Sequence, residues 1–87
     1  MREAIQQQIR SHIVETWLDG DERGFDDDVD LVKAGVLDSF SMLALASYLD
    51  ETFKIEVDPV DINAQTFHTV RTVANLVLEK LAAAQTA

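Results

Sequence analysis

Ile5, Ile9, Ile13 and Trp17 recur every fourth residue at the start of the chain, with Val14 and Leu18 beside the later ones. That spacing is one stripe of a helix, and it predicts a first helix from about Glu3 to Leu18, ended by Gly20. From Asp19 to Asp38 the periodicity stops. The segment is acidic, is broken by Gly20, Gly24 and Gly35, and has only Phe25, Val29, Leu31, Val32, Val36 and Leu37 to anchor it to a core. A patternless connection of about twenty residues is long for a small domain and signals either function or an element assigned wrongly. Met42, Leu45, Ala46, Leu49 and Phe53 then fall at i, i+3, i+4, i+7 and i+11, which predicts a second helix from Ser39 to about Thr52.

Lys54-Ile55-Glu56-Val57-Asp58 alternates like a strand, but no other segment could pair with it. It reads as an extended connector that puts Ile55 and Val57 into the core. Pro59 starts a short helical turn, expected at Val60 to Ala64. Thr69 caps a last helix from Val70 to about Leu81, with Val70, Val73, Ala74, Val77 and Leu81 inward. The tail 82–87 is expected to fray. The pattern predicts one all-α domain over residues 1–87, a four-helix bundle with three long helices, a short third helix and a long first loop.

Composition narrows what such a domain can do. Eighty-seven residues bury only about 60–65% of the unfolded surface, too little for an enzyme with a deep pocket of its own. A hydrophobic content of 47% excludes simple disorder. With no cysteine there is no disulfide framework, thiolate metal site or thiol nucleophile. The N-terminus has no apolar signal-peptide core, and no stretch approaches the ~20 apolar residues of a membrane span. A soluble, cytoplasmic monomer is expected. Seven basic residues against sixteen acidic ones give a net charge of −9, which excludes binding to nucleic acid through phosphate neutralisation and favours basic protein surfaces.

The candidate chemistry lies where the polar loop meets the second helix, at Gly35-Val36-Leu37-Asp38-Ser39-Phe40-Ser41-Met42. Asp and Ser cap helix N-termini because their oxygens accept from unpaired backbone N–H groups. The partial positive charge there also suits a phosphate on the serine oxygen. A catalytic serine is not indicated: Ser39 has no G-x-S-x-G elbow, and His12 and His68 read as surface or boundary residues rather than general bases. Trp17 and Phe67 read as core aromatics, and Tyr48 as partly exposed. The rival is calcium. Asp19, Asp21, Arg23, Gly24 and Asp30 occupy positions 1, 3, 5, 6 and 12 of an EF-hand frame, but Arg23 puts a cation where an oxygen ligand belongs and Asp30 is short for the bidentate glutamate. A helical adaptor with a hydrophobic groove is the other alternative; it would leave Asp38-Ser39 without a purpose.

The octet around Ser39 resembles the attachment site of acyl and peptidyl carrier proteins, and the resemblance covers nearly the whole chain. Leu31-Val32-Lys33-Ala34-Gly35-Val36-Leu37-Asp38-Ser39 is similar to the family's run into the modified serine. Trp17 to Asp26 resembles the first-loop entry of stand-alone peptidyl carriers of natural-product clusters. Asn63-Ala64-Gln65-Thr66-Phe67-His68-Thr69-Val70 resembles the segment before the last helix, although proline and glutamate are commoner than Ala64 and Gln65. Carriers embedded in large synthetases usually have paired glycines where Leu37-Asp38 stands, so the likeness is to free-standing carriers. Fatty-acid carriers usually line the second helix with acids, whereas here Phe40, Ser41, Leu43, Ala44 and Ser47 follow the serine.

The resemblance implies a non-catalytic, free-standing carrier of the peptidyl or acyl type, in nonribosomal-peptide-type or related specialised metabolism. Ser39 would bear a 4'-phosphopantetheine arm, making a phosphoprotein, and Asp38 would support the site. A phosphopantetheinyl transferase would attach the arm from coenzyme A. An adenylating acyl or aminoacyl ligase would load cargo on it as a thioester, for downstream tailoring or condensing enzymes. Phe40, Leu43, Ala44 and Ser47 would face these partners, extended by Val57 and Ile62.

Overall fold

The computed structural model describes residues 2–86. Its elements are α1 (Arg2–Trp17), α2 (Ser39–Phe53), a single 3-10 turn (Pro59–Asp61) and α3 (Val70–Thr86). No strand occurs among the described residues, and no helix there is long and apolar enough to cross a membrane. The expected short third helix at Val60 to Ala64 is smaller than predicted. Three residues in a 3-10 turn make less than one α-helical period, so no hydrophobic pattern could have marked its ends.

The predicted stripes supply most of the core, with Leu76 added to the stripe of α3 and Leu81 left at its edge. Ile5, Ile9, Ile13 and Val14 of α1, Met42, Leu45, Ala46 and Leu49 of α2, and Val70, Val73, Ala74, Leu76 and Val77 of α3 are buried together, with Phe67 fully enclosed. Trp17, Tyr48, Phe53, Ile55 and Leu81 pack against them half-buried. α1 lies mainly on α3. At its end, Asp19 and Gly20 take left-handed φ values of 52° and 80°, and the Gly20 N–H donates back to the Val14 carbonyl at 3.0 Å. That reversal is easy for glycine and stops the helix.

α3 begins as predicted at a Thr69 cap. Thr69 Oγ1 accepts from the Thr72 N–H at 3.1 Å while Thr72 Oγ1 accepts from the Thr69 N–H at 2.9 Å, a reciprocal capping box built from two threonines. The helix does not stop at Leu81 but runs to Thr86, taking in most of the tail expected to fray. Ala87 lies outside the described residues.

The first loop is long but fastened. Phe25, Leu31 and Leu37 are buried, whereas Val32, expected as an anchor, is 37% exposed. Leu31 donates its N–H to the His68 carbonyl at 2.7 Å, and its own carbonyl accepts from Val36 and Leu37 at 2.9 and 3.0 Å. Arg10 of α1 reaches Glu22 at 3.1 Å, and Arg71 of α3 reaches Asp28 at 2.9 Å. Asp30 meets His68 Nε2 at 3.0 Å and caps the next turn by accepting from Val32 and Lys33 at 3.1 and 3.0 Å. These ties give the loop one path from α1 to the start of α2.

Candidate functional site

Ser39 is the first residue of α2 and is exposed. Asp38 before it is the N-cap, with extended backbone, and its Oδ1 accepts from the Ser41 N–H at 2.8 Å. The Ser41 N–H first, and then the Ser41 hydroxyl, hold the Asp38 carboxyl below the usual carboxylate range. Asp38 is therefore an anion at neutral pH. Ser41 is engaged with this carboxylate, while the Ser39 hydroxyl has no hydrogen-bond partner among the described residues. Two serines share one helical turn; Ser39 is exposed and lines the adjoining groove, whereas Ser41 is half-buried and gives its N–H to Asp38.

A groove of about 760 Å³ opens beside that hydroxyl. Val32 and Gly35 of the first loop form one side, Leu37, Met42 and Leu43 the floor and near edge, and Pro59, Ile62 and Ala64 the far side. Its one polar side chain besides Asp38 and Ser39 is Asn63, whose Nδ2 donates to the Val60 carbonyl at 2.8 Å and whose Oδ1 accepts from Gln65 and Thr66, each at 2.9 Å. The groove is apolar, has the volume of a small-molecule site, and has a hydroxyl and a carboxylate at its mouth.

The expected partner residues divide. Phe40 and Leu43 are 80% and 55% exposed, Ala44 and Ser47 are exposed on the same helix, and Ile62 is half-buried along the groove. Val57 does not join them. It is buried, and its N–H donates to Asp50 Oδ1 at 2.9 Å, which clips the connector onto α2. The alternation of the connector turns Val57 into the core, so its place on an outer face is corrected. Sequence reasoning missed Val60, 81% exposed on the 3-10 turn, and the outward side of Val32. An apolar residue between Pro59 and Asp61 was the available signal for Val60.

The remaining candidates have structural partners. His12 lies half-buried against Tyr48 and Trp17, and burial lowers its basicity. His68 is exposed and bound to Asp30. In the acidic loop, Arg23 grips both oxygens of Asp21 at 3.0 and 2.9 Å and lowers its carboxyl further. No group of three or more metal-ligating side chains converges among the described residues.

An exposed hydroxyl at a helix N-terminus, with an apolar groove alongside, fits a phosphate-linked arm: the phosphate meets the positive end of α2 and the apolar part has a surface to lie on. Residues 7–77 match the phosphopantetheine attachment site family, with Ser39 inside the matched span. The chain is also 26% identical over 73 residues, 84% of each chain, to the probable acyl carrier protein PigG of Serratia sp. (strain ATCC 39006).

Proposed function

Because the chain belongs to the phosphopantetheine attachment site family, we propose that Ser39 is the residue that bears the covalent 4'-phosphopantetheine and that the protein is a carrier with no catalysis of its own. The observation that carries this reading is the unengaged Ser39 hydroxyl at the first turn of α2, at the mouth of an apolar groove. Once attached, the group supplies a terminal thiol on which an acyl or aminoacyl cargo travels as a thioester. For attachment, Ser39 Oγ displaces the nucleotide half of coenzyme A and gives its proton to the transferase. Asp38 holds the turn that aims the hydroxyl outward, and the N-terminus of α2 favours the resulting phosphodiester.

The outer side of α2, with Phe40, Leu43, Ala44 and Ser47 and no acid before Asp50 and Glu51, supports peptidyl-type recognition and a place in nonribosomal-peptide-type or related specialised metabolism. Ile62 extends that side across the groove. The partners are a phosphopantetheinyl transferase, an adenylating acyl or aminoacyl ligase and downstream tailoring or condensing enzymes, and the carrier works as a cytoplasmic monomer. Incubation with coenzyme A and a broad-specificity transferase should raise the intact mass by one phosphopantetheine. Ser39→Ala should abolish the rise while the far-UV circular dichroism stays helical. A mass rise that persists in Ser39→Ala would move the attachment elsewhere.

A further inference from the structure

Val60 is as exposed as Phe40, and its turn is held from both sides. It stands in the middle of the 3-10 turn Pro59–Asp61. The Asp58 N–H donates to Asp61 Oδ2 at 3.1 Å, and Asn63 Nδ2 donates to the Val60 carbonyl at 2.8 Å. From α3, Lys80 Nζ lies 3.0 Å from both Asp58 Oδ2 and Asp61 Oδ2, so one ammonium clamps the turn on either side of Val60. An outward valine in water gains nothing from being fixed. A binding residue does gain, because ordering it beforehand removes a cost from association.

We propose that Val60 is a docking knob for the enzyme that acts on the Ser39 hydroxyl, and that Lys80 is the positioning residue that holds it ready. The proposal rests on the reading of Ser39 given above. Before any arm is present, that enzyme must bring its reacting groups to Ser39 Oγ itself, so it must cover the rim of the groove. The four exposed large apolar side chains among the described residues, Val32, Phe40, Leu43 and Val60, belong to the segments that form this rim. The partner is therefore a protein surface with an apolar socket bordered by basic side chains. Such an enzyme needs cations for the phosphates of coenzyme A, and a basic surface of that kind would meet the exposed Asp38 carboxylate beside the serine. A second copy of this chain would bring the same acidic rim and its own charge of −9. Lys80 itself does not line the groove, so its effect is transmitted through the turn.

The test is the initial rate of phosphopantetheinylation of the apo protein, with coenzyme A and a broad-specificity phosphopantetheinyl transferase, as carrier concentration is varied. Val60→Asp should raise KM about tenfold or more, as loss of an interface anchor does, with kcat held within about twofold. Lys80→Met should raise KM several-fold and broaden the Val60 methyl signals in two-dimensional NMR, and Lys80→Arg should restore both. The Lys80→Met and Val60→Ala effects should be less than additive, because they remove one contact. Asp61→Asn breaks the clamp from the turn side and serves if Lys80→Met fails to fold. Parental KM in Val60→Asp, or full additivity of the pair, overturns the proposal and leaves the Ser39 reading intact. So does a parent dimer that Val60→Asp dissociates. A parent that is never modified overturns both.

Discussion

His12 of α1 lies flat on Tyr48 of α2, with ring centroids 3.7 Å apart and planes 8° apart, and so joins two helices across the bundle. Trp17 meets the same imidazole edge-on at 5.8 Å. Burial holds His12 below its ordinary basicity, with Glu15 pulling weakly the other way. The unfolded chain thus takes up this proton at a higher pH than the folded one, so stability is complete above about pH 6.5 and falls as the pH drops below it. Thermal melts of the parent should show Tm declining over that window. His12→Phe keeps a flat ring on Tyr48 and should remove that part of the decline; an unchanged slope would assign it to other groups.

Phe40 and Leu43 should be separable from the core residues one turn away. Phe40→Asp and Leu43→Asp should change folding stability by no more than ~0.5 kcal/mol, as surface substitutions do, yet weaken loading of chemically verified holo protein by its ligase. Leu45 is fully buried, and Leu45→Ala should cost ~2–5 kcal/mol of stability. Denaturant melts and loading rates on the same three variants check both halves.

Calcium should have no specific effect. A site at 100 times its dissociation constant would stabilise the fold by ~2.7 kcal/mol, which a melt detects easily. The Asp21 carboxylate is already held at both oxygens by Arg23, and Asp30 by His68 and two backbone N–H groups. Millimolar calcium and magnesium should therefore shift Tm alike. A saturable rise with calcium alone, lost in Asp19→Ala, would reopen the EF-hand reading.

The helices were legible because each carries enough apolar residues at helical spacing to mark a face, as Ile5, Ile9 and Ile13 do. Ser39 stood out because a capping pair met an apolar run. What escaped were features with no period. Val60 is one of them: the alternation before it points Val57 inward, but nothing in the pattern of Pro59-Val60-Asp61 says that Val60, three residues on, turns outward. The clamp on the turn joins Asp58 and Asp61 to Lys80, about twenty positions later, and long-range ion pairs leave no local pattern to read. Residues 82–87 read as a fraying terminus, yet three of them in a row are alanine, the best helix former, and α3 runs to Thr86.

The manner in which the first loop is tied divides the molecule into two parts that answer salt in opposite directions. Arg10 to Glu22 and Arg71 to Asp28 are surface pairs, and added electrolyte weakens them as the screening length shrinks. The contacts among the helices are apolar, and an excluded salt such as sulfate strengthens them. In concentrated sulfate the bundle would tighten while the ionic ties of the loop slacken. Amide exchange would then quicken around Glu22 and Asp28, where those pairs hold the loop, and slow within the helices and at Phe25, Leu31 and Leu37, which share the buried core.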